Sequence, residues 1–286
     1  MTLKAAFIGL GAMGAPMAGH LHAKGLLAAV GNRTQARAEA LATELGVQAP
    51  DLAGIASSCD VIALCVSADA DVIGVVEALA PSLKKGAVVV DHSTVSPDTA
   101  KKAARIIGDA GGVFLDAPVS GGVEGAKNGK LSVMVGGDAD VLEKARPVLE
   151  AYAVRVTHMG PVGSGQATKA VNQVLVAGIA HAVTEGLALG EALGLDPERL
   201  IPTLGAGAAG NWFLEKRGAT MLRNEFSVGF KLALLHKDLG IVRGIASDAG
   251  TDRTIIEQSL ADFAQLMSEG YGDDDISALI RLKRKS

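Results

Sequence analysis

The six residues Gly9-Leu10-Gly11-Ala12-Met13-Gly14 constrain this chain more than any others. They follow the apolar, β-branched run Leu3–Ile8 directly and open the helix-like stretch Ala15–Lys24, so they must make a tight turn from strand to helix. In such a turn Gly9 permits the bend, Gly11 lets a ligand approach the main chain and Gly14 lets the helix pack on the strand. The first N–H groups of the helix then face an anion. Leu10, Ala12 and Met13 complete a loop that suits the pyrophosphate of a dinucleotide. Gly9, Gly11, Gly14 and Pro16 also interrupt the apolar run after Lys4, so a signal peptide is not expected.

The first half goes on alternating. Leu27–Val30, Val61–Val66, Ala87–Val90, Val113–Leu115 and Leu131–Val135 read as strands, with helical stretches at Gln35–Leu45, Ala70–Leu83 and Pro97–Ala110 between them. Several strands are apolar on both faces, as a parallel sheet covered by helices requires. After a turn-rich joint, His158–Gly165, no strand pattern returns. Ala167–Leu193 reads as one long helix, followed by helical segments near 197–204, 211–223, 229–248, 252–269 and 274–282. The expected fold is α/β, a doubly wound Rossmann-type domain over residues 1–162 followed by an all-helical domain over 163–286. The basic tail Arg281–Lys285 reads as a solvated end.

Composition narrows the partners. Hydrophobic residues are 49% of the chain and aromatics 3%, so the core is built from Ala, Val, Leu and Ile, and the net charge of −4 argues against nucleic acid. Cys59 and Cys65 make no disulfide framework and suit a reducing compartment. The charge-free segment Ala170–Thr184 is short for a bilayer span, which takes about 20 residues, so it is expected to be a buried core helix with no membrane partner. A soluble, cytoplasmic protein is expected.

The end of the second strand bears on which dinucleotide binds. A carboxylate there would hold the ribose 2′-hydroxyl of NAD, but the chain has Asn32-Arg33-Thr34, with no carboxylate before Glu39. Arg33 can clamp a 2′-phosphate with its planar fork and Thr34 can add a hydroxyl. NADP is therefore the expected cofactor, NADPH being preferred and NAD possible. Two later strand ends should complete the cleft. Cys65 and Val66 end the third strand, although Cys65 also fits a buried packing role. Ser93 and Thr94 follow the fourth strand and offer hydroxyls to a nicotinamide ribose, although Thr94 could instead cap the helix at Pro97.

Three further stretches suit chemistry. Asp116-Ala117-Pro118-Val119-Ser120-Gly121-Gly122 is a small-residue loop after a strand, whose hydroxyl and two glycine N–H groups suit a carboxylate. Gly163–Gln173 opens the long helix and sets Lys169, Asn172 and Gln173 at i, i+3 and i+4, on one face. Polar groups on an otherwise apolar helix are costly to bury unless used. Phe230–Gly240 carries Lys231, Lys237 and Asp238 among leucines. His20 and His22 diverge on their helix and the other histidines form no close-spaced cluster, so no metal is expected.

These runs together, GLGAMGAPMA (9–18), DHST (91–94), DAPVSGG (116–122), GSGQATKAVNQ (163–173) and HKDLG (236–240), resemble the β-hydroxyacid dehydrogenase family over essentially the whole chain. That group includes 3-hydroxyisobutyrate dehydrogenase, tartronate semialdehyde reductase and the glyoxylate/succinic semialdehyde reductases. The resemblance implies that Ser120, Gly121 and Gly122 hold the substrate carboxylate. It implies that Lys169 is the catalytic lysine and Asn172 its polar neighbour one turn along, while Gln173 stands where many members have a second Asn. Thr94, Phe230, Lys237 and Asp238 fall at positions toward the cofactor, with Lys237 also lining the substrate site. Trp212 and Phe213 fall in the variable region that shapes the substrate pocket. The implied chemistry is hydride transfer between a nicotinamide and a short carboxylate-bearing semialdehyde or 2-oxoacid, with Lys169 moving the proton. An imine reductase and a non-catalytic NADP-binding module are the alternatives on the same fold, and a homodimer or homotetramer is expected.

Overall fold

The computed structural model describes residues Leu3–Arg284 and divides into two compact units, the first ending at Lys169 and the second beginning at Ala170. The first is built from β1 (Ala5–Ile8), α1 (Gly14–Ala23), β2 (Leu27–Gly31), α2 (Gln35–Leu45), α3 (Leu52–Ser58), β3 (Val61–Leu64), α4 (Asp69–Leu79) and β4 (Val88–Asp91). It continues through α5 (Pro97–Asp109), β5 (Val113–Asp116), β6 (Val119–Ser120), α6 (Gly122–Lys127), β7 (Leu131–Gly136), α7 (Ala139–Leu149) and β8 (Ala153–Gly160). Strand order is β2-β1-β3-β4-β5-β7-β6, with β8 against the other edge of β7. β2, β1, β3, β4 and β5 run parallel, whereas β7 is antiparallel to β5 and β6.

Alternation along the strands builds two cores, one on each face of the sheet. Phe7, Val88, Val90 and Leu115 join Met17, Leu21 and Tyr152 on one face. Ile8, Ile62, Leu64 and Val89 join Val76 and Ile107 on the other. The apolar run of β1, β3 and β4 is thus explained, since each is buried on both sides. One polar pair enters the first of these cores. His92 sits between the Ala117 carbonyl, 2.7 Å from Nδ1, and the Tyr152 hydroxyl, 2.7 Å from Nε2. Its ring stacks on Phe7 and meets Tyr152 edge-on.

Several elements depart from the sequence reading. β8 had no strand signal, because it is an edge strand with Val154, Arg155, Thr157, His158 and Met159 exposed. Its apolar alternation is lost, and His158–Gly160 finish the strand instead of opening a joint. α3 and α6 are short and carry glycine, which leaves no periodicity to read. α7 is capped by Asp138, whose carboxylate accepts from Asp140 and Val141 N–H groups, and carries Pro147 near its end.

The helical unit contains most of α8 (Ser164–Ala192), then α9 (Pro197–Gly205), α10 (Trp212–Leu222), α11 (Leu232–Asp248), α12 (Thr254–Ser268) and the short α13 (Ile280–Lys283). Its core includes Ala177, Ala180, Leu187, Leu235, Leu239 and Phe263. At 29 residues α8 has the length and hydropathy of a membrane span. One of its faces packs in this core, while Val171, Leu175 and Leu189 lie exposed on another. The basic tail is not a solvated end. Arg281 lies 3.9 Å over Tyr271 and bonds Asp274. Lys283 reaches Asp262, and Arg284 forks onto Glu191 at 2.6 and 3.0 Å; Lys285 lies outside the described residues.

Replacing Tyr152 by Phe keeps the packing and removes only the hydroxyl, leaving the buried His92 Nε2 without its partner. The expected cost is about 1–3 kcal/mol of unfolding free energy, read from urea denaturation with an unchanged far-UV spectrum.

Candidate active site

The order of the parallel strands reverses at β1, which has β2 on one side and β3 on the other. In an open α/β sheet that reversal leaves a crevice at the carboxyl ends of the strands. The glycine loop closes over it. Gly9 has φ +92°, and a Cβ there would strike the Cys65 carbonyl; a Cβ on Gly14 would strike the Gly9 carbonyl and come within 2.9 Å of the Phe7 ring. A Cβ on Gly11 would meet nothing within 4 Å, and Gly11 and Ala12 are exposed while Leu10 is buried. The first and third glycines therefore serve the protein's own packing, and the second leaves open main chain of the kind a pyrophosphate needs. Met13 leads into α1, whose first N–H groups complete this cradle. The residues present fit a bound dinucleotide.

Asn32 and Ser93 fix the rim of the crevice. Asn32 Oδ1 accepts from Leu10 N–H at 3.0 Å, and its amide donates to the Thr34 carbonyl at 3.1 Å. Arg33 next to it is 90% exposed and pairs with Asp71 at 3.3 Å. Ser93 is buried, with its Oγ accepting from Val66 N–H at 2.9 Å. Its hydroxyl thus ties the end of β4 to the end of β3, with half-buried Thr94 beside it. Thr94 does not cap α5. Ser96 does, accepting from Thr99 N–H at 3.1 Å. Cys65 is half-buried.

Lys169 stands beside the small-residue loop. It is 7% exposed, and its Nζ donates to the Val119 carbonyl at 2.9 Å, immediately before Ser120, Gly121 and Gly122. Gly121 and Gly122 take φ +132° and +60°, conformations that L side chains rarely adopt. The first turn of α8, which carries Lys169, is held by residues that the sequence reading quoted without a role. Asp116 Oδ1 accepts from Gly163 N–H at 2.7 Å and Oδ2 from Gln166 N–H at 2.9 Å. The Gln166 side chain donates to the Ser93 carbonyl at 2.7 Å and accepts from Val95 N–H at 3.2 Å.

In the helical unit a second polar chain forms. Asn172 Nδ2 donates to Gln173 Oε1 at 2.8 Å, Gln173 Nε2 donates to Asp238 Oδ2 at 2.6 Å, and Lys237 Nζ lies 2.8 Å from Asp238 Oδ1. Gln173 and Asp238 are buried. Phe230 is half-buried against the helical core, and its N–H is held by Asp275 at 3.0 Å. Phe213 belongs to that core, so its side chain packs the protein instead of lining an open pocket. Trp212 is half exposed, with the Arg217 guanidinium 5.2 Å from its ring centroid.

Comparison with known proteins bears on this arrangement directly. Residues 4–160 match the family profile described as the NAD binding domain of 6-phosphogluconate dehydrogenase, and residues 163–283 match that described as NAD-binding of NADP-dependent 3-hydroxyisobutyrate dehydrogenase. The chain is 38% identical to 2-hydroxy-3-oxopropionate reductase of Escherichia coli over 84% of its own length and 82% of that protein. It is 35% identical to the NAD-dependent L-serine dehydrogenase of Pseudomonas aeruginosa, over 97% and 96%. Among solved structures, 3-hydroxyisobutyrate dehydrogenase of Mycobacterium tuberculosis is 30% identical with a TM-score of 0.89, covering all of both chains. The chain belongs to the β-hydroxyacid dehydrogenase family. It is an NAD(P)-dependent hydroxyacid dehydrogenase. Imine reductases are more distant; that of Streptomyces aurantiacus is 24% identical with a TM-score of 0.65 over 99% and 100% of the two chains, a likeness of fold alone.

In this β-hydroxyacid dehydrogenase the strand ends concentrate buried titratable groups. Asp91 is fully buried, its Oδ1 accepting from Ser93 N–H at 2.8 Å and its Oδ2 having no partner among the described residues. Burial pushes its pKa up to about 7 against the pull of Ser93, with Asp116 and Asp69 adding to the rise. Burial likewise lowers His92 to about 4 and raises Asp116, whose main-chain donors oppose the rise. Asp91 and Asp116 each had a sequence signal, a carboxylate closing an apolar strand. His92, Tyr152 and Gln166 act through contacts 60 or more residues apart, which spacing cannot reveal.

Asp91 keeps its proton in the folded state to about pH 7, whereas the unfolded chain releases it near 3.9. The folded state therefore binds more protons between pH 4 and 7, and this group's contribution falls as pH rises through that window. His92 works in the opposite direction, its contribution rising between pH 4 and about 6.5, but it is common to wild type and an Asp91→Asn variant. Relative to wild type, Asp91→Asn is expected to gain melting temperature steadily from pH 5 to pH 7.5, measured by calorimetry; a pH-independent difference would contradict the assignment.

Proposed function

We propose that this enzyme is an NADPH-preferring reductase of a short semialdehyde or 2-oxoacid bearing a carboxylate, and that it oxidises the matching hydroxyacid in reverse. The carrying observation is the buried Lys169 Nζ, 2.9 Å from the Val119 carbonyl at the edge of the Ser120–Gly122 loop. When bound, the nicotinamide supplies or accepts the hydride. Ser120 Oγ and the N–H groups of Gly121 and Gly122 hold the substrate carboxylate, which orients the carbonyl beside Lys169. As the carbon gains hydride, Lys169 Nζ–H hydrogen-bonds the growing alkoxide and gives up its proton, leaving a neutral amine that solvent reprotonates. In reverse the neutral amine takes the hydroxyl proton. Asn172, on the same helix face one turn along, adds an amide donor. Supporting the substrate class, the relatives are named for 2-hydroxy-3-oxopropionate and L-serine, both small and carboxylate-bearing. The NADPH preference rests on Arg33, an exposed guanidinium at the end of β2 where an NAD-binding carboxylate would stand.

We further propose a soluble, cytoplasmic homodimer or homotetramer. Cys59 and Cys65 form no disulfide and suit a reducing compartment, and α8 exposes Val171, Leu175 and Leu189 to 60% or more, beside a groove lined by Gly178, His181, Ala182, Glu185 and Gly186. A second copy of α8 would cover that face.

Oxidation of NADPH and NADH is followed with glyoxylate, succinic semialdehyde and tartronate semialdehyde. Turnover favouring NADPH is expected, with Lys169→Ala lowering kcat by about 10²–10⁴. Arg33→Ala should lower kcat/KM for NADPH by at least about tenfold, the worth of one charge-assisted contact, and leave NADH unaffected. Faster turnover with NADH by the wild type would overturn the preference. In sedimentation velocity, Leu175→Asp with Leu189→Asp is expected to yield single chains, and a wild type that sediments as a single chain would refute the assembly.

A further inference from the structure

We propose that Asp116 and Gln166 are positioning residues that set Lys169 Nζ beside the carboxylate loop, so that the rate of proton transfer depends on them more than cofactor and substrate binding do. The proposal rests on Lys169 being the proton donor, as argued above.

The geometry is a closed ring. Asp116 is the last residue of β5 and fully buried. Its two carboxylate oxygens take the Gly163 and Gln166 N–H groups, so a strand end supplies the anionic cap of α8 from outside the helix. The approach is close enough that a Cβ on Gly136 would strike the Asp116 carboxylate, and one on Gly165 would strike the Met134 carbonyl. Gln166 fixes the same turn to a second strand end, through the Ser93 carbonyl and Val95 N–H. Three residues on, Lys169 bonds Val119, which is itself three residues past Asp116. One carboxylate thus anchors both the helix that carries the ammonium and the loop that receives it, while the Gln166 amide adjusts the helix against the turn bearing Thr94. The bonds of these two side chains go to Gly163, Gln166, Ser93 and Val95, none of them in the glycine cradle or the Ser120–Gly122 loop. Their effect therefore falls on the proton-transfer geometry, where a displacement near 1 Å can cost about a hundredfold in rate.

A buried cap could also do no more than stabilise the fold, and a double-mutant cycle separates the two. Asp116→Asn and Gln166→Leu are made singly and each combined with Lys169→Ala in the full-length enzyme, and assayed with whichever carbonyl the wild type reduces fastest. Each single variant is expected to lose about tenfold or more in kcat. These losses are read with both ligands saturating; for Asp116→Asn the Kd for NADPH, read by nicotinamide fluorescence, and the substrate KM should stay within about threefold, while Gln166→Leu, which also frees the turn bearing Thr94, raises the NADPH Kd further. Each double variant should be no slower than Lys169→Ala alone, because a misplaced lysine that is already absent cannot be lost twice. Multiplying losses in the double variants, or folded single variants that retain wild-type kcat, would overturn the proposal. Should Asp116→Asn fail to fold, the Gln166→Leu cycle decides it alone. A Lys169→Ala enzyme as fast as wild type is a different outcome, refuting the proton-donor reading and this inference with it.

Discussion

The carboxylate of Asp116 against the N-terminus of α8 is the contact on which the rest of the first unit's chemistry depends. Four unpaired N–H groups at a helix start attract an anion, and here the anion is the protein's own, delivered by the end of a central strand. The ligand cradle at α1 uses the same physics with the opposite arrangement, since no side chain fills the space over Gly11. One helix terminus is closed by the chain and another is left for a dinucleotide. That division puts the cofactor at one strand end and the lysine-bearing helix at others, with the sheet as the common ruler.

Burying this machinery has an electrostatic cost. Asp91 and Asp116 lie side by side in the register of β4 and β5, and burial pushes both carboxyl groups upward in pKa. Main-chain donors offset the cost at Asp116, which receives the helix terminus, and far less at Asp91, which has one oxygen without a partner. His92 beside them is held neutral between a carbonyl and a tyrosine hydroxyl. The strand ends thus carry strained protonation states while the strands behind them are plain hydrocarbon, the distribution expected where function is built onto a stable sheet.

What the sequence revealed follows from the range of the interactions. The glycine turn, the parallel strands, α8 and most of the later helices depend on local pattern, and their residues could be read directly. Lys169 was legible because a cation in an apolar helix is conspicuous. The bond from Val66 N–H to the Ser93 hydroxyl spans 27 residues and leaves no local signal. β8 was invisible because an exposed edge strand loses the alternation that marks a half-buried one. The basic tail looked solvated because nothing local says that Glu191, 93 residues earlier, awaits Arg284. Gln173, which the spacing placed on the face of Lys169, also bonds Asp238 across 65 residues, a contact with no local signal.

The cap on α8 also orders events in time. Its bonds join residues 47 and 50 apart in sequence, and they fit against β7 because Gly136 there carries no side chain. Contacts of such separation form late, after loop closure has been met by other strand pairings. During synthesis from the N-terminus, the glycine cradle can therefore assemble while Lys169 is still unplaced. A nascent chain of this kind would gain the capacity to hold nucleotide before it gains the capacity to react, and the seating of α8 on Asp116 would be the step that turns a binding protein into an enzyme.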